Sequence, residues 1–126
     1  MKYNKISAIV FINKRMLGQM DTNETCKILL DKNNTQRVKC YKFFQTDFER
    51  ELAVHEHVDH KNMSAITDVK TGMKLCNIPQ EIKKVTVADI NEAISTFTKH
   101  FTLDGILYRF KELDKKEPCS TGNNKL

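Results

Sequence analysis

The sequence predicts an α+β fold: a small two-layer sandwich in which an antiparallel sheet of about five to six strands carries two amphipathic helices on one face. Three observations lead there. Short β-prone runs recur on either side of turn-forming residues, which marks hairpins and hence antiparallel pairing. Two segments begin with a threonine followed three residues later by an acidic residue, the mark of a capped helix. The 126 residues, 40% hydrophobic and 29% charged, fit one folded unit rather than a disordered or fibrous chain.

In chain order, Ile6–Ile12 is apolar and β-branched and reads as a buried strand. Lys2 and Lys5 before it give the look of a short signal peptide. Asn13-Lys14-Arg15 cuts the run off, and no small-residue cleavage site follows. Met16–Met20 makes a turn or a second short strand. Thr25–Asp31 and Gln36–Phe44 flank an Asn-Asn loop and predict a hairpin. A turn centred on Asn33 sets Ile28 opposite Val38 and Cys26 opposite Cys40. Lys27, Arg37, Lys39 and Tyr41 then share the other face.

Thr46, with Glu49 three residues on and Asp47 in the first turn, predicts a helix over Asp47–Val58 with Phe48 and Leu52 inward. Met63–Val69 and Met73–Asn77 flank Lys70-Thr71-Gly72 and predict a second hairpin, closed by Pro79. Thr86 and Asp89 open the clearest helix. Its apolar stripe is Val87, Ile90, Ile94, Phe97 and Phe101, and Leu103-Asp104-Gly105 stops it. Ile106–Leu113 alternates and predicts a last strand. The domain spans 1–113, and 114–126 reads as a flexible tail.

Charge is segregated. The net is +5, made of +6 over residues 1–42, −4 over 43–60 and +3 over 61–126. Such a distribution gives the molecule a basic and an acidic pole. No run of apolar residues is long enough for a membrane-spanning helix, so no membrane partner is expected. Cys26, Cys40, Cys76 and Cys119 form no C-x-x-C pair, which fits a reduced, cytoplasmic protein. The wealth of lysine, asparagine and isoleucine fits an A/T-rich genome, such as that of a low-GC bacterium, its phage, or certain viruses and protists; a phage or viral accessory protein would act in the host-cell cytoplasm.

Residues 55–60 read His-Glu-His-Val-Asp-His. This H-x-H-x-D-H string resembles the metal-binding signature of the metallo-β-lactamase superfamily, in which such histidines and aspartate hold two zinc ions that activate water. The resemblance covers six residues. That fold is far larger, and no further ligand follows in the family's order, so the activity is not carried over. A smaller zinc site remains as an expectation, built from His55, His57, Asp59 and His60. On a continuing helix His55 and Asp59 are four apart, and His57 and His60 three apart.

No phosphate-binding glycine loop, serine-nucleophile elbow or cysteine in a catalytic setting is present. The main expectation is therefore a non-enzymatic binding protein, an inhibitor or adaptor that occludes a partner protein. The acidic residues Asp47, Glu49, Glu51 and Glu56 form its docking segment. A second reading is single-stranded nucleic-acid or nucleotide binding through Lys14, Arg15, Lys27, Arg37, Lys39, Tyr41 and Lys42, where cations interleave with aromatic rings. Helices packed over that face would end the second reading. A homodimer through a sheet edge is a further expectation, and a metal-dependent hydrolase using the histidine string is the third reading of function.

Overall fold

The computed structural model describes residues 24–31 and 33–115. The expected strand Ile6–Ile12, the segment Met16–Met20, Lys14, Arg15, Cys119 and the tail beyond residue 115 lie outside them. The described chain is α+β. Six antiparallel strands, β1 (Thr25–Leu29), β2 (Thr35–Lys39), β3 (Tyr41–Gln45), β4 (Arg50–Glu56), β5 (Ser64–Asp68) and β6 (Lys74–Ile78), precede two helices, α1 (Val87–Phe101) and α2 (Leu103–Asp114). Where one sheet was expected, the strands divide into a β1–β2 pair and a four-stranded sheet in the order β3-β4-β5-β6. Among the described residues no helix is long and apolar enough to cross a membrane.

The division follows from strand β4. Leu52, Ala53, Val54 and His55 are all buried, so both faces of this strand are covered. Leu52 and Val54 point to one face and join Phe43, Ile66 and Ile78 beneath Val87, Ile90, Ile94, Ile106 and Phe110 of the helices. Ala53 points to the other face and meets Cys26, Ile28 and Cys40. The β1–β2 hairpin therefore lies on the sheet face opposite the helices. Cys40, fully buried, is the link where the chain leaves β2 and enters β3.

Each hairpin has a local cause. In the first, Asp31 caps the loop by accepting from the Asn33 and Asn34 backbone amides at 2.9 and 3.1 Å. Its pairs are Cys26–Val38, Lys27–Arg37 and Ile28–Gln36. The register thus differs by two residues from the expected one. A slip of two preserves the faces, because side chains alternate with a period of two. In the last hairpin, Gly72 sits at φ 79°, the left-handed region that glycine enters without cost, and its amide returns to Asp68 O at 2.7 Å.

Two elements differ in kind from expectation. The expected helix over Asp47–Val58 is a tight turn followed by β4. Glu49 takes a positive φ of 53° and its amide bonds Thr46 O, which ends any helical path after one turn. The expected strand Ile106–Leu113 is helix α2. Thr102 (φ 59°) breaks the chain after α1, and its hydroxyl then accepts from Gly105 N at 3.1 Å, so one residue both ends a helix and caps the next. Ile106, Phe110 and Leu113 then follow helical spacing onto the core. The α1 cap is as expected, with Thr86 and Asp89 in a reciprocal capping box.

A buried ion pair ties the layers together. Arg50 of β4 grips Asp68 of β5 through Nε and Nη2, at 2.9 and 2.7 Å. Asp68, fully buried, also accepts from the Thr71 amide and hydroxyl. The remaining arm of Arg50 reaches Asp114 at the end of α2, and its guanidinium lies 4.2 Å over the Phe110 ring. Asp114, expected in a loose tail, is thus anchored.

Removing one partner strands the other charge. We expect Arg50→Ala to cost about 3–5 kcal/mol, read as a lower urea midpoint. The paired replacement Arg50→Met with Asp68→Leu should recover much of that loss. The hydrogen bond from Arg50 holds the Asp114 carboxyl below its ordinary range. This contact therefore contributes above about pH 4 and fades as pH falls through the lowered value.

Candidate functional site

The cationic residues expected to bind a nucleic acid separate into two groups. Lys27, Arg37 and Lys39 lie on the outward face of the β1–β2 hairpin, the face turned away from Cys26, Ile28 and Ala53. Arg37 and Lys39 are exposed and Lys27 is half-buried. Lys27 stands directly across from Arg37, and Lys39 across from Thr25. Arg37 Nη1 donates to Thr25 Oγ1 at 2.9 Å. No ion pair joins any of the three to a described carboxylate. Like charges directly opposed on a sheet destabilise it, so this face carries a small cost that an anion would relieve.

Tyr41 and Lys42 are not part of this face. Both lie on β3, beyond the Cys40 link. Tyr41 packs against the helix-side core, and Lys42 pairs across the strand with Ala53. The expected continuity of cations with an aromatic edge is broken there, because the chain changes layer at Cys40. Among the described residues, the outward face offers charge without a stacking ring.

The acidic segment disperses as well. Asp47 and Glu49 sit exposed in the β3–β4 turn, Glu51 is half-buried on the strand, and Glu56 is exposed at its far end. An extended chain rises about 3.3 Å per residue. Glu51 and Glu56 are thus held roughly 16 Å apart along the strand, where a helix would rise only about 8 Å between them.

The histidine string is split by the same change from helix to strand. His55 points inward and is 3% exposed. Its Nδ1 lies 2.9 Å from the Glu56 carbonyl, and its Nε2 lies 2.7 Å from Thr67 Oγ1. A carbonyl only accepts, so Nδ1 carries the proton and Nε2 accepts from the threonine. Both ring nitrogens are occupied. His57, Asp59 and His60 stand in the loop that follows. The rings of His57 and His60 are 5.0 Å apart, and His57 Nδ1 accepts from the Asp59 amide at 3.1 Å. Among the described residues, no group of three or more His, Cys, Asp or Glu side chains converges as a metal cluster would.

The thiols are likewise built into the core. Cys26 and Cys40 share a hydrogen bond that lowers the first and, with burial, raises the second. Burial pushes the Cys76 thiol up to about 11, away from the thiolate that a nucleophile needs.

One surface had no counterpart in the sequence reading. A groove of about 670 Å³ runs between β6 and α2, lined by Leu75, Phe97, Phe101, Tyr108 and Leu113. Phe101 is 55% exposed and Tyr108 66%. The signal for it was the length of the α1 stripe, whose last member, Phe101, extends past the sheet it packs on.

Burial lowers the pKa of His55, and the charges of His57 and Lys74 add to the effect. A base lowered in the folded state contributes fully above its unfolded value near 6.5, and its contribution is lost as pH falls from there through the folded value. We expect the urea midpoint to drop between pH 7 and pH 5, and His55→Gln to flatten that slope.

Comparison of the chain with protein-family models, with curated proteins and with solved structures returned no match.

Proposed function

We propose that this chain is a binding protein rather than an enzyme, and that its ligand is a single-stranded nucleic acid held through phosphates on the outward face of the β1–β2 hairpin. The observation that carries the reading is the outward row of Lys27, Arg37 and Lys39, the last two exposed, with two cations directly opposed and no described carboxylate paired to them. The helices lie on the far side of the sheet, so they leave this face open. A protein partner docked on the acidic segment is less well supported, since Asp47 lies in the turn before β4 and Glu56 at the far end of that strand.

A face of cations without rings binds by neutralising phosphates and displacing their counterions. It reads charge spacing more than base identity. Thiols buried and hydrogen-bonded at Cys26 and Cys40 accord with action in a reducing compartment such as the cytoplasm.

The test is fluorescence anisotropy with a labelled oligo(dT) across a salt series. Three phosphate contacts give a slope of about −2 in log K against log salt. The variant Lys27→Glu with Arg37→Glu and Lys39→Glu should lose binding while keeping the wild-type circular dichroism spectrum. Absence of binding at low salt, or equal binding by the folded triple variant, would refute the reading.

A further inference from the structure

Strand β6 is the outer strand of the four-stranded sheet, with β5 on one side and no described strand on the other. It carries no proline, and it borders the apolar groove along its length. The groove continues past Leu75, Phe97 and Phe101 into a second hollow of about 530 Å³ beside Ile78 and Pro79. The two ends differ in charge. Lys74 and Arg109 stand at the start of β6, with Glu112 beside them. Asp89 and Glu92, near the start of α1, line the second hollow, and the imidazole of His100 lines it beside Phe101. Lys74, Arg109 and Glu92 are exposed, and none of them is in an ion pair with a described residue.

An edge strand is a template for one more strand, and a charge gradient along it selects the direction of the incomer. A parallel copy would set basic end on basic end. An antiparallel copy sets the basic end of each strand on the acidic end of the other. From this we infer that β6 pairs antiparallel with β6 of a second copy of this chain, in a two-fold dimer centred near Cys76.

The pairing is self-complementary, as a two-fold interface requires. With Cys76 on the axis, Lys74 lies away from its symmetry mate, beyond the one-residue register shift that separates it from Cys76 in the β5–β6 ladder, so no two lysines face each other along the strand. Arg109 of each copy approaches Glu92 of the other. Cys76 turns toward α1, where its thiol lies 4.0 Å from Ala93 O, so the join is by backbone hydrogen bonds and not by a disulfide. The sheet becomes eight-stranded, with exposed Phe101 and Tyr108 flanking the seam.

The test is a charge swap read by sedimentation equilibrium across a dilution series. Wild-type protein should show a species of twice the chain mass. Glu92→Lys alone and Arg109→Glu alone should each weaken self-association by about tenfold, because each brings like charges together at two symmetric places. Mixing the two variants sets lysine against glutamate at one place and the native pair at the other, and should restore the dimer. Both positions are exposed surface, so both variants are expected to fold, checked by circular dichroism. A wild-type protein that stays at monomer mass throughout would overturn the inference. So would a dimer that ignores both substitutions, or a mixture that fails to recover.

Discussion

The carboxylate of Asp68 is the constraint on which the rest of the structure depends. It is fully buried and accepts four hydrogen bonds, two from Arg50 and two from Thr71. A buried charge is tolerated only with such complete satisfaction, and the net stability of the pair against apolar replacements is small. What it supplies is uniqueness. A one-residue slip of β5 against β4 would turn Asp68 to the face built on Ala53 and Cys26, away from the Arg50 guanidinium and the Thr71 donors that satisfy it. The same arginine then fixes the end of α2 through Asp114 and Phe110, so strand register and helix placement are set by one side chain.

From that register follows the use of β4 as a strand buried on both sides. Its even positions face the helices and its odd positions face the hairpin. The helix side takes the long aliphatic and aromatic side chains. The hairpin side holds a smaller apolar cluster, Cys26, Ile28, Cys40 and Ala53, with Val38 and Val69 packed against it. Polar groups caught in this layer must be matched internally, as His55 is by Thr67 and the Glu56 carbonyl. His55, one of the four residues of the histidine string, is thereby packed and hydrogen-bonded within the fold.

Legibility of the sequence tracked how local each signal was. The Thr86–Asp89 box and the hairpin around Gly72 are encoded within a few residues, and both stand as expected. The first hairpin kept its faces though its register moved by two. Helix and strand were exchanged where burial pattern and period disagreed. In β4 the run Leu52–Val54 is apolar on both faces, which erases the alternation that marks a half-buried strand. The spacing of Phe48 and Leu52 imitated a helix because Phe48 folds back from the turn onto Phe97 and Phe110. In α2, Ile106, Tyr108 and Phe110 alternate by residue type, yet Tyr108 is exposed and the buried set is Ile106 and Phe110. The shared face of Lys27, Arg37 and Lys39 was readable because it needs only parity, whereas Tyr41, expected on the same face, leaves it where the chain changes layer at Cys40. The groove was not, because it is made by β6, α1 and α2 meeting.

The arrangement of layers also relates the two proposed surfaces. Helices cover one face of the sheet and the hairpin covers the other, while β6 is an edge between them. A two-fold axis at that edge, running normal to the sheet, keeps both hairpins on the same side of the extended sheet. Each protomer then turns its Lys27, Arg37 and Lys39 toward the same half-space. Three cations alone hold a polyanion weakly under physiological salt. Two such rows on one rigid sheet let a single flexible strand engage both, and the second contact forms at the high effective concentration set by the first. In this geometry edge pairing and electrostatic binding reinforce each other without touching. A charge change at Glu92 would weaken binding of a long oligonucleotide and leave a short one, able to reach one row only, unaffected.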